Sequence, residues 1–209
     1  MDINSLKKEQ EKLAEKIQIR DITSKIKTIG GLNVTITNNT VIASIVVCDY
    51  NTFEILEQQT YTTETKIPYI PGFSSFRIAG AAIEIFYKLN LRPDILLVEG
   101  PGILHESRLG AASHIGILLN YPVIGVSKNP VKGQYENHKI FINNELRGFK
   151  IETKEKSNPI FVSPGHLVGI IKSLEIIKHC IRLNHKLPEP LHLAHKLSNK
   201  TKKELKINL

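Results

Sequence analysis

The spacing of apolar and polar positions indicates strands in the first third of the chain. Three runs rich in β-branched residues occupy positions 28–35, 40–48 and 52–60. Asn38-Asn39 separates the first pair, and Asp49-Tyr50-Asn51 separates the second. Short polar turns between β-rich runs are typical of hairpins. The pattern predicts a three-stranded antiparallel meander.

After residue 74, the spacing of apolar positions indicates helices that alternate with short apolar strands. Residues 74–89 and 107–119 have helical spacing, and Ser74 or Ser75 is a plausible N-cap. Residues 94–98 and 122–126 are short, continuous apolar runs of the kind found in buried strands. The alternation predicts parallel strands joined by helical crossovers, with the strand at 94–98 beside the first strand of the meander.

The pattern from residue 140 onward predicts a hairpin and two further helices. Residues 140–151 suit a hairpin that turns at Asn143-Asn144, followed by a short apolar run at 159–162. A strongly apolar helix is expected at 166–183, and a basic helix near 191–200 follows two prolines. We expect a single α/β domain over residues 1–209, with an N-terminal helix in residues 1–20. The basic segment 197–209 is expected to fray.

Composition adds a preference about partners and compartment. The 209 residues carry a formal net charge of +8, and a basic balance favours polyanionic partners such as nucleic acid. Cys48 and Cys180, the two cysteines, lie in apolar runs and are interpreted as core residues. No secretory signal or membrane-spanning run is evident, so a soluble, cytoplasmic protein without a membrane partner is expected.

Two segments are candidates for chemistry. Glu99 follows a predicted buried strand and opens the sequence Glu-Gly-Pro-Gly, and carboxylates at this end of a strand are common site residues. An ordinary strand-to-helix loop is the alternative. Pro68 and Pro71 stiffen the segment around Tyr69, which suits an aromatic presented for stacking on a base. The alternative is a rigid turn whose tyrosine packs on the core, and this segment taken alone favours that alternative.

Basic and imidazole side chains give weaker signals. Lys128 follows a predicted strand and suits a phosphate contact, but a solvated lysine explains it as well. His192 and His195 share a helix face, yet a metal site needs more ligands than this pair provides. None of these signals identifies a reaction by itself.

The order of the motifs from about Gly30 to His195 resembles the endonuclease V family. Tyr69-Ile70-Pro71-Gly72 leads to Phe76-Arg77, where the family has Phe-Arg-Glu. The strand that ends in Glu99-Gly100-Pro101-Gly102 is similar to the family strand ending in Asp-Gly-x-Gly. Four later blocks continue the resemblance: Leu109-Gly110 to Gly116, Ile124 to Lys128, Pro159 to His166, and Pro188-Glu189-Pro190 leading to His195.

The resemblance implies a ribonuclease H-like mixed sheet and a magnesium-dependent endonuclease. Such enzymes nick DNA or RNA on the 3′ side of deaminated bases, typically hypoxanthine, and the protein is expected to be a monomer that acts in repair. The implied catalytic positions are Glu99, Lys128 and His195. The implied nucleic-acid-binding positions are the wedge Tyr69 with Pro71, Gly72 and Arg77, and the lesion pocket of Gly100, Gly102, His105 and Gly110.

The metal ligands that the resemblance implies are altered in this chain. Asn33 stands where the family has an aspartate, Ile78 where it has a glutamate, and Glu99 where it has a second aspartate. Mg²⁺ prefers anionic oxygen ligands in near-ideal octahedral geometry. Asn33 lacks the charge, Ile78 lacks any ligand atom, and Glu99 holds its carboxylate one C–C bond of roughly 1.5 Å further out. The sequence therefore predicts weak or absent magnesium binding, with cleavage lost or strongly reduced. Two interpretations stay open: a nuclease with a rebuilt site, and a non-catalytic binder of deaminated or distorted nucleic acid.

Overall fold

The computed structural model describes residues 2–21, 25–155, 157–182 and 185–205. In this part of the chain there are five helices: α1 (Ile3–Ala14), α2 (Ser74–Tyr87), α3 (Ala111–Leu119), α4 (Ile170–Cys180) and α5 (Glu189–Glu204). The strands in the same residues are β1 (Thr28–Thr37), β2 (Thr40–Asp49), β3 (Ile55–Glu64), β4 (Ile95–Glu99), β5 (Val123–Ser127), β6 (Gln134–Glu136), β7 (Lys139–Ile142), β8 (Glu145–Ile151) and β9 (Ile160–His166). No helix in the described ranges is long and apolar enough to cross a membrane.

All nine described strands form one mixed sheet in the order β3-β2-β1-β4-β5-β9-β8-β7-β6. β1, β2 and β3 pair antiparallel, which confirms the predicted meander. β4 is parallel to β1, as predicted, and β5 is parallel to β4. The parallel pattern stops there, because β9 joins β5 antiparallel. The α/β class with a mixed sheet and flanking helices is therefore confirmed.

Asparagine pairs form the tight turns of two hairpins. Asn38 and Asn39 connect β1 to β2 with φ of 49° and 67°, and Asn143 and Asn144 connect β7 to β8 with φ of 54° and 59°. Asparagine tolerates the left-handed region that two-residue hairpin turns require. The predicted turn at Asn143-Asn144 is confirmed, whereas the β6–β7 hairpin was not predicted.

Helices cover both faces of the sheet. Ile29, Cys48 and Leu97 pack with α4 and with Leu191 and other residues of α5, whereas α2 and α3 cover the opposite face. α1 packs beside α3 on that opposite face. Cys48 and Cys180 are both fully buried, which confirms their interpretation as core residues.

Gly31 determines how closely α5 approaches the sheet. A Cβ atom at this β1 position would lie 2.1 Å from the carbonyl oxygen of Pro190 and 2.7 Å from the backbone nitrogen of Leu191. Only glycine leaves room for the first turn of α5 to rest directly on β1. This approach brings the following turn of the helix, with His195, over the end of β4.

Several predicted helix boundaries were wrong. α2 begins after Phe73 without a side-chain cap, and the Ser75 hydroxyl instead contacts the ring of His114. α3 begins at Ala111, since Gly102 and Arg108 lie in a folded loop that precedes it. The helix expected at 166–183 spans only Ile170–Cys180, because His166 still pairs with Val123 in the sheet.

The two chain ends also differ from expectation. The N-terminal helix is α1, and Asp2 caps it by accepting hydrogen bonds from the backbone of Asn4 and Ser5. α5 continues to Glu204, and Ser198 within it is 1% exposed. Residues 197–204 are thus helical, contrary to the tail predicted from 197, while 206–209 lie outside the described residues.

Candidate functional site

The end of β4 brings together four of the residues that the sequence analysis singled out. Because Leu32 of β1 pairs with Val98 of β4, Asn33 and Glu99 follow side by side. Asn33 Nδ2 donates a hydrogen bond of 2.8 Å to Glu99 Oε2. Lys128, just beyond β5, places its Nζ 2.5 Å from Glu99 Oε1, and His195 Nδ1 of α5 lies 3.5 Å from Oε2.

Nitrogen groups already engage both carboxylate oxygens of Glu99. The Glu99 side chain is 17% exposed and that of Lys128 is 34% exposed, so the ion pair is only partly screened by solvent. The Lys128 charge balances that of Glu99, and the Asn33 amide directs a further donor at the same carboxylate. The cluster is therefore close to neutral without an added cation.

Ile78, the remaining implied metal position, has an apolar side chain. It is half-buried on α2 and packs against the hydrophobic cluster between α2, α3 and the sheet. Hydrocarbon at this position provides no metal ligand and disfavours ordered water around an ion. In the described ranges, no group of three or more histidine, cysteine or acidic side chains is arranged to hold a metal.

Unpartnered buried atoms provide a second test of the site. Asn33 Oδ1, Ser44 Oγ, His195 Nδ1 and Ser198 Oγ are buried and have no hydrogen-bond partner among the residues that the structure describes. Asn33 and Ser44 are directly paired on β1 and β2, and the other two lie on α5. None of these four atoms is an anionic oxygen, and Lys128 already balances the charge of Glu99. The residues present do not fit Mg²⁺, which prefers several anionic oxygen ligands.

The segment before α2 presents Tyr69 to solvent. The Tyr69 side chain is 68% exposed, so the alternative that it packs on the core is wrong. The loop around it is fixed from two sides: Gln10 Nε2 donates to the carbonyl of Gly72 at 2.9 Å, and Arg77 Nε donates to that of Ile67 at 2.9 Å. The Arg77 guanidinium lies 6.0 Å from the Tyr69 ring centroid, and Pro71 is exposed beside it.

The loop after Glu99 is tightly folded on glycines. A Cβ atom at Gly102 would lie 2.1 Å from the carbonyl oxygen of Pro164, and one at Gly110 would lie 2.1 Å from that of Pro101. Gly100, with φ of 144°, begins the loop and pairs with Val126. The loop is thus held against β5 and β9 and has little freedom to change its shape.

His105 occupies a sheltered position in this loop. Its Nδ1 lies 2.9 Å from the hydroxyl of Ser107, and burial lowers the pKa of its imidazole below the ordinary value. A neutral imidazole is therefore favoured, and one of its ring nitrogens can donate while the other accepts. Such a group suits recognition of a base edge by hydrogen bonds.

An arginine that the sequence analysis missed supports the same loop. Arg147 of β8 is 6% exposed, and its Nη1 donates to the carbonyls of Ile103 and His105 at 3.5 and 3.4 Å. Desolvation alone would raise the pKa of Glu145, but the hydrogen bonds and charges of Arg108 and Arg147 outweigh it and lower that pKa. No sequence pattern marks Arg147, because its partners are backbone carbonyls about forty residues away.

Comparison with known proteins relates this arrangement to one family. Residues 11–196 match the family model described as Endonuclease V. An endonuclease V of Dictyoglomus thermophilum is 36% identical over 199 residues, which cover 91% of this chain and 87% of that protein.

Solved structures of endonuclease V proteins have the same fold as this chain. The crystal structure of endonuclease V from Bacillus subtilis has a TM-score of 0.90 at 26% identity and covers 99% of this chain and 94% of its own. That of Ciona intestinalis endonuclease V, in complex with DNA containing an inosine followed by a ribo-adenosine, has a TM-score of 0.84 at 27% identity and covers 97% of this chain and 98% of its own.

Proposed function

The chain belongs to the endonuclease V family, and we propose that it binds DNA or RNA containing a deaminated base while cleaving it feebly or not at all. The observation that carries the proposal is the state of Glu99. It is the only carboxylate left at the three family metal positions, and Lys128 and Asn33 engage both of its oxygens.

The binding half of the proposal rests on features outside the metal positions. Tyr69 is exposed on an anchored loop, which supports a role as a wedge between bases. The glycine-rich loop from Gly100 to Gly110 is rigid and carries the sheltered His105. The Ciona intestinalis relative binds inosine-containing DNA, which supports the same substrate class for this chain. The formal net charge of +8 favours association with a polyanion.

The loss of cleavage follows from charge. Three carboxylates would attract a divalent cation, and such an ion would acidify the attacking water and stabilise charge on the phosphate. Here a single carboxylate faces an ammonium group 2.5 Å away. A divalent cation would have to displace Lys128 and would find Ile78 where another carboxylate belongs. We infer that Mg²⁺ binds weakly or not at all.

A second candidate is a nuclease with residual activity. The unpartnered Asn33 Oδ1 and His195 Nδ1 favour it, because an amide oxygen and an unprotonated imidazole nitrogen can each donate a lone pair to a cation. Mn²⁺ tolerates nitrogen ligands and looser geometry better than Mg²⁺ does, so residual cleavage is expected with manganese first.

Binding in the presence and absence of metal tests the proposal. Because Lys128 already balances Glu99, affinity for an inosine-containing oligonucleotide should be no higher in Mg²⁺ than in EDTA, and it should exceed affinity for the matched adenine-containing oligonucleotide. DNA and RNA versions of both sequences form the matched set, measured by fluorescence anisotropy at one fixed salt concentration. Equal affinity for the inosine and adenine oligonucleotides would contradict the proposed substrate class. Affinity that requires Mg²⁺ would contradict the neutral site.

A further inference from the structure

An open groove lies between α5 and the edge strand β3. Its volume is about 660 Å³, and its lining along α5 runs from His192 to Lys203. β3 is the outermost strand on its side of the sheet, so the groove opens to solvent. The site described above does not account for this groove, although it shares His195 with it.

Lysines line the α5 wall of the groove. Lys196, Lys200 and Lys203 stand at positions i, i+4 and i+7, so their side chains share one face of the helix. Lys196 and Lys203 have no acidic partner within 4 Å among the described residues. Lys200 lies 3.9 Å from Glu204, and both side chains are mostly exposed. Such a pair contributes little and leaves the ammonium available.

The floor of the groove is apolar. Ile55, at the start of β3, is 48% exposed, and Leu193 and Leu197 of α5 are only partly buried against the core. An apolar floor beside a row of cations matches a ligand with hydrophobic faces and regularly spaced negative charges. A nucleic-acid strand has both, in its sugars and bases and in its phosphates.

The groove is continuous with the Glu99 cluster. His195 lines the groove and also places Nδ1 3.5 Å from Glu99 Oε2. The seven residue-to-residue steps from Lys196 to Lys203 advance along the helix axis by about 10 Å at the ordinary helical rise. That length spans about three phosphates of one strand in a duplex.

We propose that the groove between α5 and β3 binds the sugar-phosphate backbone of the nucleic-acid strand where it continues from the Glu99–Lys128 site. This assignment rests on the proposed function, because it takes the ligand to be the same nucleic acid. The three lysines contact successive phosphates, and the apolar floor receives the sugars. The contacts do not depend on base sequence, so they add affinity without adding selectivity for the deaminated base.

Charge-neutral variants test the assignment. Lys196→Gln, Lys200→Gln and Lys203→Gln together remove three charges from exposed positions of α5 and keep helix-forming side chains. The matched control combines Lys7→Gln, Lys8→Gln and Lys12→Gln, which removes three charges from exposed positions of α1 on the opposite face of the sheet. Circular dichroism and thermal unfolding must first show that both variants fold.

The measurement is the salt dependence of binding to the inosine oligonucleotide. Removing three phosphate contacts should lower the slope of log affinity against log salt by about 2 to 3 units, whereas the α1 variant should change it little. The ratio of inosine to adenine affinities should stay the same in both variants. Equal loss of slope in the two variants would show a general effect of net charge and would overturn the assignment.

A cross-linking experiment provides a second line of evidence that does not depend on those variants. Asn199 is exposed in the groove, and Cys48 and Cys180 are fully buried, so Asn199→Cys directs a thiol-specific photo-cross-linker to one position. Cross-links should fall on a few consecutive nucleotides on one side of the inosine. Cross-links to no nucleotide, in a variant that still binds, would overturn the assignment and point to another occupant such as an acidic protein segment. If the wild-type protein bound neither oligonucleotide, the proposed function itself would fail, and the assignment with it.

Discussion

The contact between Gly31 and α5 gives a quantitative prediction for Gly31→Ala. The added Cβ would lie 2.1 Å from the Pro190 carbonyl oxygen, so the helix and the strand must separate by about 1.3 Å to reach an ordinary contact of 3.4 Å. The obstructing atoms are backbone atoms that cannot rotate away. Overpacking of this kind costs roughly 1–3 kcal/mol, and we expect the upper part of that range.

The expected loss should be visible in both stability and site geometry. For a domain of this size, 2–3 kcal/mol corresponds to a fall in melting temperature of roughly 4–12 °C. Because α5 carries His195, its displacement also moves the imidazole away from Glu99 and should weaken binding of the inosine oligonucleotide. Urea denaturation measures the free energy of unfolding, and anisotropy measures the affinity.

Gly80→Ala is the matched control. Gly80 lies within α2, and a Cβ there would meet no atom within 4 Å. The same substitution should therefore stabilise the protein by about 0.5–1 kcal/mol through helix propensity. If Gly31→Ala left the stability unchanged or raised it as Gly80→Ala does, the argument that glycine sets the position of α5 would be refuted.

Three further predictions concern individual side chains. Tyr69→Ala should weaken binding to a mismatched or inosine-containing duplex more than binding to an intact duplex, and equal loss in an anisotropy titration would mean that Tyr69 is only structural. Burial lowers the pKa of His114 to about 4. Protonation of this imidazole therefore favours the unfolded state, and the free energy of unfolding should fall by about 3 kcal/mol as the pH drops from above 6.5 towards 4. Urea titrations should therefore show a flatter pH dependence for His114→Gln, and an unchanged slope would contradict this assignment. Arg147→Met leaves the Ile103 and His105 carbonyls without their donor and should reduce the ratio of inosine to adenine affinities. An unchanged ratio would mean that the shape of the loop does not depend on Arg147.

The parts of the fold that the sequence predicted depend on local signals. The meander follows from β-rich runs broken by Asn38-Asn39, and that turn needs no distant partner. The helix expected at 166–183 is present as α4, but its start was placed four residues too early, because an apolar run fits the end of a buried strand as well as a helix. His166 belongs to a strand whose register depends on Val123. Only the sheet resolves that ambiguity.

The candidate site was predictable only in part. The motif order suggested that Asn33, Glu99, Lys128 and His195 act together, and the structure brings them within hydrogen-bonding or ion-pairing distance. Periodicity alone could not have done so, since these residues lie on three strands or their ends and on one helix. The ion pair that occupies Glu99 could not be predicted, because it depends on side-chain placement that spacing does not determine.

Cleavage by the wild-type protein and by a variant with restored ligands tests the central claim most directly. Asn33→Asp, Ile78→Glu and Glu99→Asp together return three carboxylates to the family positions, and each single restoration is the control. The assay follows nicking of inosine-containing DNA and RNA in Mg²⁺ and in Mn²⁺. Thermal unfolding must first show that the variants fold, since Ile78→Glu introduces a charge at a half-buried position. We expect the wild type to cut feebly or not at all in Mg²⁺, and the triple variant to gain more than the single restorations combined, because the ligands act as one unit. Robust Mg²⁺-dependent nicking by the wild type, abolished by Glu99→Ala, would contradict the account.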